Sequence, residues 1–155
     1  MPPGAPRALR CEYQVDPVGL GTAKPRFSWK LDDERPGACQ SAYRVLVASD
    51  PERLAQGAGD LWDSGEVASD ESAHVVYPGA PLGSRQRAFW KVQSFDADGE
   101  PSAWSATASF EVGLLEPSDW TGRWIASPLA GAPSTSAVVP ALRRAFRVTG
   151  PIARA

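Results

Sequence analysis

The sequence predicts an all-β protein: a fibronectin type III or immunoglobulin-like β-sandwich of about seven strands, followed by an incomplete second β domain. Three observations lead there. Short stretches alternate apolar and polar residues with period two, the signature of a strand with one buried face. Between them, 15 Pro and 14 Gly in 155 residues leave little room for long helices. Finally, Arg87 to Ser105 (R-A-F-W-K-V-Q-S-F-D-A-D-G-E-P-S-A-W-S) reads as one long strand, a tight reversal at Asp98-Gly99 and a return through Ser102 to Ser105. Ala88, Trp90, Val92 and Ser94 point one way along that strand, so Trp90 at its middle requires a facing sheet.

The other elements follow in order. Leu9 to Gln14 alternates Leu9, Cys11 and Tyr13 against Arg10, Glu12 and Gln14, which predicts an opening strand with those three buried. Asp16 to Pro25 holds two Pro and two Gly and reads as loop. Arg26 to Leu31 is the second strand, with Phe27, Trp29 and Leu31 on one face and Trp29 assigned to the core. Asp32 to Gly37 is read as an acidic, solvated turn rather than a carboxylate site. Gln40 to Ser49 is the third strand, with Tyr43, Val45 and Val47 inward. Asp50-Pro51-Glu52 supplies a cap, a proline for the first turn and an acid, the start of a short helix that ends at Gly57. Leu61 to Val67 is a strand kinked at Ser64-Gly65, and His74 to Tyr77 is another short one. Ala106 to Val112 closes the sandwich with Phe110 and Val112 inward.

These elements place the sandwich at residues 8–113, a linker at 114–120 and the truncated start of a second β-sandwich domain at 121–155. In that last part Trp120 to Ile125 begins a new element, Ser127 to Ala137 is poor in bulky residues and expected to be mobile, and Leu142 to Val148 alternates as a strand with no visible partner.

Charge and composition narrow the function. A formal net charge of −2 and a pI near 5.4 give no basic footprint for nucleic acid. No stretch approaches the roughly 18 apolar residues of a membrane span, and the first residues lack the apolar core of a secretory leader. The expectation is a cytoplasmic protein. Cys11 and Cys39 then read as two separate reduced thiols, because neither has a neighbouring Cys or His.

Four blocks occur in one order: Y-R-V-L-V-A-S-D-P-E-R-L (Tyr43 to Leu54), L-W-D-S-G-E-V (Leu61 to Val67), D-A-D-G-E-P-S-A-W-S (Asp96 to Ser105) and D-W-T-G-R-W-I (Asp119 to Ile125). Together they resemble the N-terminal region of bacterial α-L-rhamnosidases, from about Leu9 to Thr149. The resemblance implies a fibronectin type III-like module, then a β-sandwich accessory domain whose opening looks like W-T-G-R-W-I and L-R-R-A-F-R-V, and further on an (α/α)6 barrel that carries the chemistry. No position here corresponds to the family's acidic catalytic residues. Ala88 also departs from the pattern, because an aromatic is common there, which puts a tyrosine-corner hydrogen bond in doubt.

Each candidate site has a plainer explanation beside it. An inverting glycosidase, the class the resemblance implies, needs two carboxyls roughly 6.5–9.5 Å apart, one with a raised pKa. Asp60 with Asp63 and Asp96 with Asp98 sit in turns with nothing to raise either acid. Asp96 to Glu100 lacks the further ligands of a calcium loop and reads as a hairpin turn. His74 is the lone histidine and has no nucleophile nearby. No catalytic, cofactor-binding or metal residue is expected. The aromatics Trp62, Trp104, Trp120 and Trp124 lie near turns or the linker, as candidates for interdomain or sugar contact. The expected role is a non-catalytic scaffolding module. Its partners would be the downstream domains of the parent enzyme and, in the alternative of a free-standing carbohydrate-binding module, rhamnose-containing carbohydrate. A fibronectin-like protein-interaction domain is the third reading.

Overall fold

The computed structural model describes residues 3–31, 33, 35–125 and 141–152. Its strands are β1 (Arg7–Cys11), β2 (Val18–Leu20), β3 (Arg26–Lys30), β4 (Gln40–Ala48), β5 (Trp62–Asp63), β6 (Val67–Ala68), β7 (Val75–Val76), β8 (Arg87–Asp96) and β9 (Ala108–Val112), with a one-turn helix α1 (Pro51–Ala55) between β4 and β5. One sheet is ordered β1-β3-β7 and the other β2-β9-β8-β4-β5, with β6 also paired to β4. The chain divides into two units, Met1–Trp120 and Thr121–Ala155.

In the first unit the alternation along β8 becomes burial. Ala88, Trp90 and Val92 are fully enclosed, and the antiparallel ladder to β4 runs from Gln40↔Asp96 to Ala48↔Phe89. Phe27 of β3 stacks on Trp90 across the sandwich at 4.4 Å between ring centroids, and Phe110 meets Phe27 at 5.8 Å. This aromatic layer is the centre of the core. Trp29 is buried as expected, and its indole N–H donates to Gln40 Oε1 (3.1 Å); the Gln40 amide in turn donates to the carbonyls of Ser69 and Glu71. A buried Gln is thereby satisfied while it fastens the segment before β7. By contrast, Trp90 Nε1 meets no acceptor among the described residues.

The outer face of β4 is closed by α1. The Asp50 carboxylate accepts the Glu52 amide at 2.7 Å and Pro51 occupies the first turn, as the sequence predicts. Leu54 then packs on Leu46 and Ala48, with Phe89 and Trp104 around them, in a second small core.

Several expectations are corrected. The opening strand ends at Cys11 rather than Gln14, because Glu12 and Tyr13 adopt left-handed backbone (φ 47° and 66°) and the chain reverses with Cys11 and Gln14 exchanging backbone bonds. Tyr13 is consequently 60% exposed instead of buried. The stretch read wholly as loop contains β2, which pairs in parallel with β9 and buries Leu20. There Gly19 (φ 84°) crosses Gly113 so closely that a Cβ on Gly113 would lie 3.1 Å from the Gly19 carbonyl. The return through Ser102 to Ser105 forms no regular ladder; the Ser105 and Ser102 hydroxyls accept the Val92 and Ser94 amides at 3.1 Å each. His74 lies outside β7, in left-handed backbone (φ 59°). The kink at Ser64-Gly65 is real, with Gly65 at φ 60° separating β5 from β6.

Of the second unit, residues 121–125 and 141–152 are described and contain no strand. Leu142, Phe146 and Val148 are exposed, so the alternation of Leu142 to Val148 does not form the expected strand. The stretch Ser127 to Ala137 lies outside the described residues, as do Asp32 and Glu34 of the acidic turn.

Candidate functional site

Of the carboxylates singled out from the sequence, Asp60, Asp63 and Asp96 are engaged in holding the fold, whereas Asp98 is exposed and contributes its backbone amide to the turn. Asp60 accepts the Ser49 amide (3.0 Å) and hydroxyl (2.7 Å). Burial pulls its pKa upward, but the Ser49 bonds and the nearby Arg53 outweigh that and leave it below the usual value. Asp63 is gripped in bidentate fashion by Arg44 (2.9 and 2.6 Å) and also takes the Gly65 amide, and the guanidinium lowers its pKa. In the hairpin after β8, Asp96 Oδ1 accepts the amides of Asp98 (3.0 Å) and Glu100 (2.9 Å), while Oδ2 receives Arg35 at 2.9 Å. Arg35 is the main cause of the lowered Asp96 pKa. Gly99 takes up φ 80°, which completes the turn.

Arg35 also binds Asp33, whose pKa it lowers to about 2. The acidic turn is therefore clamped to the β8 hairpin by one guanidinium between two carboxylates. Two shallow hollows flank this clamp, one of about 70 Å³ lined partly by Leu31, Gln40 and Phe95, the other of about 160 Å³ lined by Arg35 to Cys39 and Asp96 to Asp98. Among the described residues no group of three His, Cys, Asp or Glu is gathered as for a metal ion.

His74 is exposed, with its ring edge-on to Tyr13 at 5.3 Å, and its amide donates to the Ser28 hydroxyl. Cys11 and Cys39 are both free thiols; Cys11 is buried in the core, which pushes its pKa up to about 12, and Cys39 is exposed.

The four tryptophans separate into two pairs. Trp62 is half-buried, stacked nearly parallel on Phe27 (6.4 Å, 15°) and set edge-on to Tyr77 (5.8 Å). Trp104 is half-buried over the α1 cluster, with Lys91 Nζ 4.7 Å from its ring centroid. Both belong to the packing of the sandwich itself. Trp120 is 61% exposed and Trp124 is 96% exposed. An anchor missed by sequence reasoning is Tyr77, which is fully buried. Its hydroxyl donates to the Ala80 carbonyl at 2.7 Å and lies 3.2 Å from the Leu61 carbonyl. Here a tyrosine tied to backbone stands away from the Ala88 position, where sequence reasoning looked for one.

Residues 114–120 are fixed to the sandwich by side chains. The Leu115 amide donates to Ser84 Oγ (2.8 Å), the Ser84 hydroxyl donates to Asp119 Oδ2, and Arg85 reaches the Asp119 carbonyl at 3.1 Å. Pro117–Asp119 forms a single 3₁₀ turn closed by the Glu116 amide on Asp119 Oδ2.

Comparison with known proteins gives consistent matches. Residues 6–116 match the family described as Rha78A-like, N-terminal immunoglobulin domain. An α-L-rhamnosidase of Streptomyces avermitilis is 48% identical over 125 residues, covering 79% of this chain and 12% of that protein. One from Formosa agariphila is 44% identical over 113 residues, or 73% of this chain and 12% of the relative. Among solved structures, the Streptomyces avermitilis α-L-rhamnosidase complexed with L-rhamnose aligns with TM-score 0.78 at 45% identity over 83% of this chain and 12% of that one. The Dictyoglumus thermophilum α-L-rhamnosidase aligns with the same TM-score at 35% identity, over 81% of this chain and 14% of that one. The chain thus spans about an eighth of the length of the relatives it matches.

Proposed function

Because this chain belongs to the Rha78A-like N-terminal immunoglobulin domain family, we propose that it is the non-catalytic N-terminal module of an α-L-rhamnosidase-like glycoside hydrolase. The parent polypeptide would hydrolyse terminal L-rhamnose from glycosides, with its chemistry in a domain beyond this one. Residues 121–155 would open the following β-sandwich domain. The module's own work is mechanical: it is a rigid sandwich that supports the downstream domains through aromatics near its exit, Trp120 and Trp124. A reducing, cytoplasmic compartment suits its two free thiols.

The observation that carries the non-catalytic reading is the state of the acids. A glycosidase requires one carboxyl held protonated by a raised pKa, beside a second across a sugar-sized gap. Asp60, Asp63 and Asp96 are instead all lowered, by arginines, hydroxyls and turn amides. Those groups serve the fold.

The exposed Trp120 and Trp124 favour a second reading, a carbohydrate-binding module. A titration of the 155-residue chain with L-rhamnose and a rhamnosylated glycoside separates the two, with tryptophan fluorescence and released sugar followed together. The scaffold reading expects neither quenching nor release. Saturable quenching without release would support the binding module, and release would overturn the non-catalytic reading.

A further inference from the structure

Resting on the scaffold reading, we infer that Ser84, Arg85 and Asp119 form a latch that keeps the exit rigid through Trp120, presenting this indole as the anchor for the domain that follows in the longer polypeptide. Residues 113–120 do not behave as a free tether. Gly113 accepts the Arg85 amide at 3.0 Å, and the Gly113 amide donates to the Leu20 carbonyl at 2.8 Å. Two residues on, the Leu115 amide is held by Ser84 and the side chain packs on the main core. Asp119 then ties the end of the segment back, through Ser84, Arg85 and the Glu116 amide. Arg85 does this from left-handed backbone (φ 62°), a strain that the surrounding bonds must offset. Pro117 removes one more freedom at the start of the 3₁₀ turn. The Ser84 hydroxyl, followed by the Glu116 amide, lowers the Asp119 pKa, so the latch carries an ionised carboxylate at neutral pH.

What the latch presents is apolar. Trp120 leaves 61% of its surface exposed at the last residue of the first unit, whereas Trp62 and Trp104 are absorbed by the sandwich. The family matched is an N-terminal domain, and the relatives continue for most of their length beyond the region matched. A domain joined directly after Trp120 meets this indole at high effective concentration. Fixing the exit beforehand removes ordering cost from that docking, which a free linker would have to bear.

The test begins with this chain and ¹⁵N relaxation. Backbone order parameters for Leu115 to Trp120 should match the sandwich, near 0.85, and fall below about 0.6 in Asp119→Ala. The Leu115 and Glu116 amides should exchange at least about tenfold faster in that variant, while Val92 and Val112 stay protected and report an intact fold. Asp119→Asn, which keeps an acceptor, should recover part of the order. A mobile segment in the unsubstituted chain, or no change in Asp119→Ala, overturns the latch. In the longer polypeptide, Trp120→Ala should lower the melting temperature, and Trp120 should be shielded from acrylamide. An ordered latch with a freely quenched Trp120 overturns the anchor alone. Rhamnose-dependent quenching with an ordered latch would instead defeat the scaffold reading, so the two failures are distinguishable.

Discussion

Replacing Tyr77 by Phe tests whether the sandwich is fastened where the structure places its buried phenol. The ring is 1% exposed and edge-on to both Phe27 and Trp62, and Phe preserves that packing. What disappears is the hydroxyl bonded to the Ala80 carbonyl at 2.7 Å, which leaves a carbonyl without its donor; the expected cost is about 1–2 kcal/mol at pH 7. The same burial, with the negative Asp60 as a smaller contributor, raises the Tyr77 pKa from 10 to about 12. The neutral phenol is the form that fits the fold. Stability from this group is therefore fully present below pH 10, where the unfolded chain begins to ionise, and is lost as pH rises towards 12. A rise of that size corresponds to about 3 kcal/mol in total, of which roughly half is already lost at pH 11. Urea unfolding of both proteins at pH 7 and pH 11, followed by tryptophan fluorescence, isolates the effect, because the titrations common to both cancel in the difference. Tyr77→Phe should be the less stable protein at pH 7, and the gap should close at pH 11. A difference below about 0.5 kcal/mol at pH 7, or one that does not change with pH, would mean that the buried phenol does not fasten the sandwich.

Three further outcomes are expected. Gly79→Ala should destabilise by more than about 2 kcal/mol in urea unfolding, because its Cβ would sit 2.5 Å from the Leu61 carbonyl and 2.6 Å from Trp62 Cβ, in backbone that cannot move without disturbing Tyr77. Trp104→Ala should cost about 2 kcal/mol, since it uncovers Leu46 and Leu54 and removes the ring beneath Lys91, and the α1 amides should lose exchange protection with it. With a thiol-specific reagent on the native chain, Cys39 should react at once and Cys11 only on unfolding, because Cys11 is enclosed and its pKa is raised to about 12.

The parts legible in the sequence were those fixed by local periodicity and turn chemistry. The run of Ala88, Trp90, Val92 and Ser94 gave the inward face of β8, and Asp50-Pro51-Glu52 gave the cap of α1. Asp98-Gly99 gave the reversal. Features decided by residues distant in the chain were not legible. Pairing of β2 with β9 depends on Gly19 meeting Gly113, and nothing within Asp16 to Pro25 announces that partner. Tyr13 continued an apolar alternation, yet the Glu12 carboxylate binds Arg26 and the backbone turns left-handed there, which carries the ring outward. Trp62 and Trp104 looked like surface aromatics because turns flank them. Their burial comes from Phe27 and Tyr77 for the one, and from α1 and Lys91 for the other. The Asp119 attachment to Ser84 joins residues 35 positions apart and leaves no periodic signal.

On the proposed reading, this module supports its neighbours and takes no part in the chemistry. Removing residues 1–120 from the longer polypeptide, then measuring melting temperature and kcat on the same preparation, tests it most directly. The expected result is a lower melting temperature, with kcat per folded molecule kept within about twofold, a change under about 0.4 kcal/mol in the barrier. An unchanged melting temperature together with a kcat reduced a hundredfold or more would contradict it, and would place part of the reaction's machinery in this sandwich.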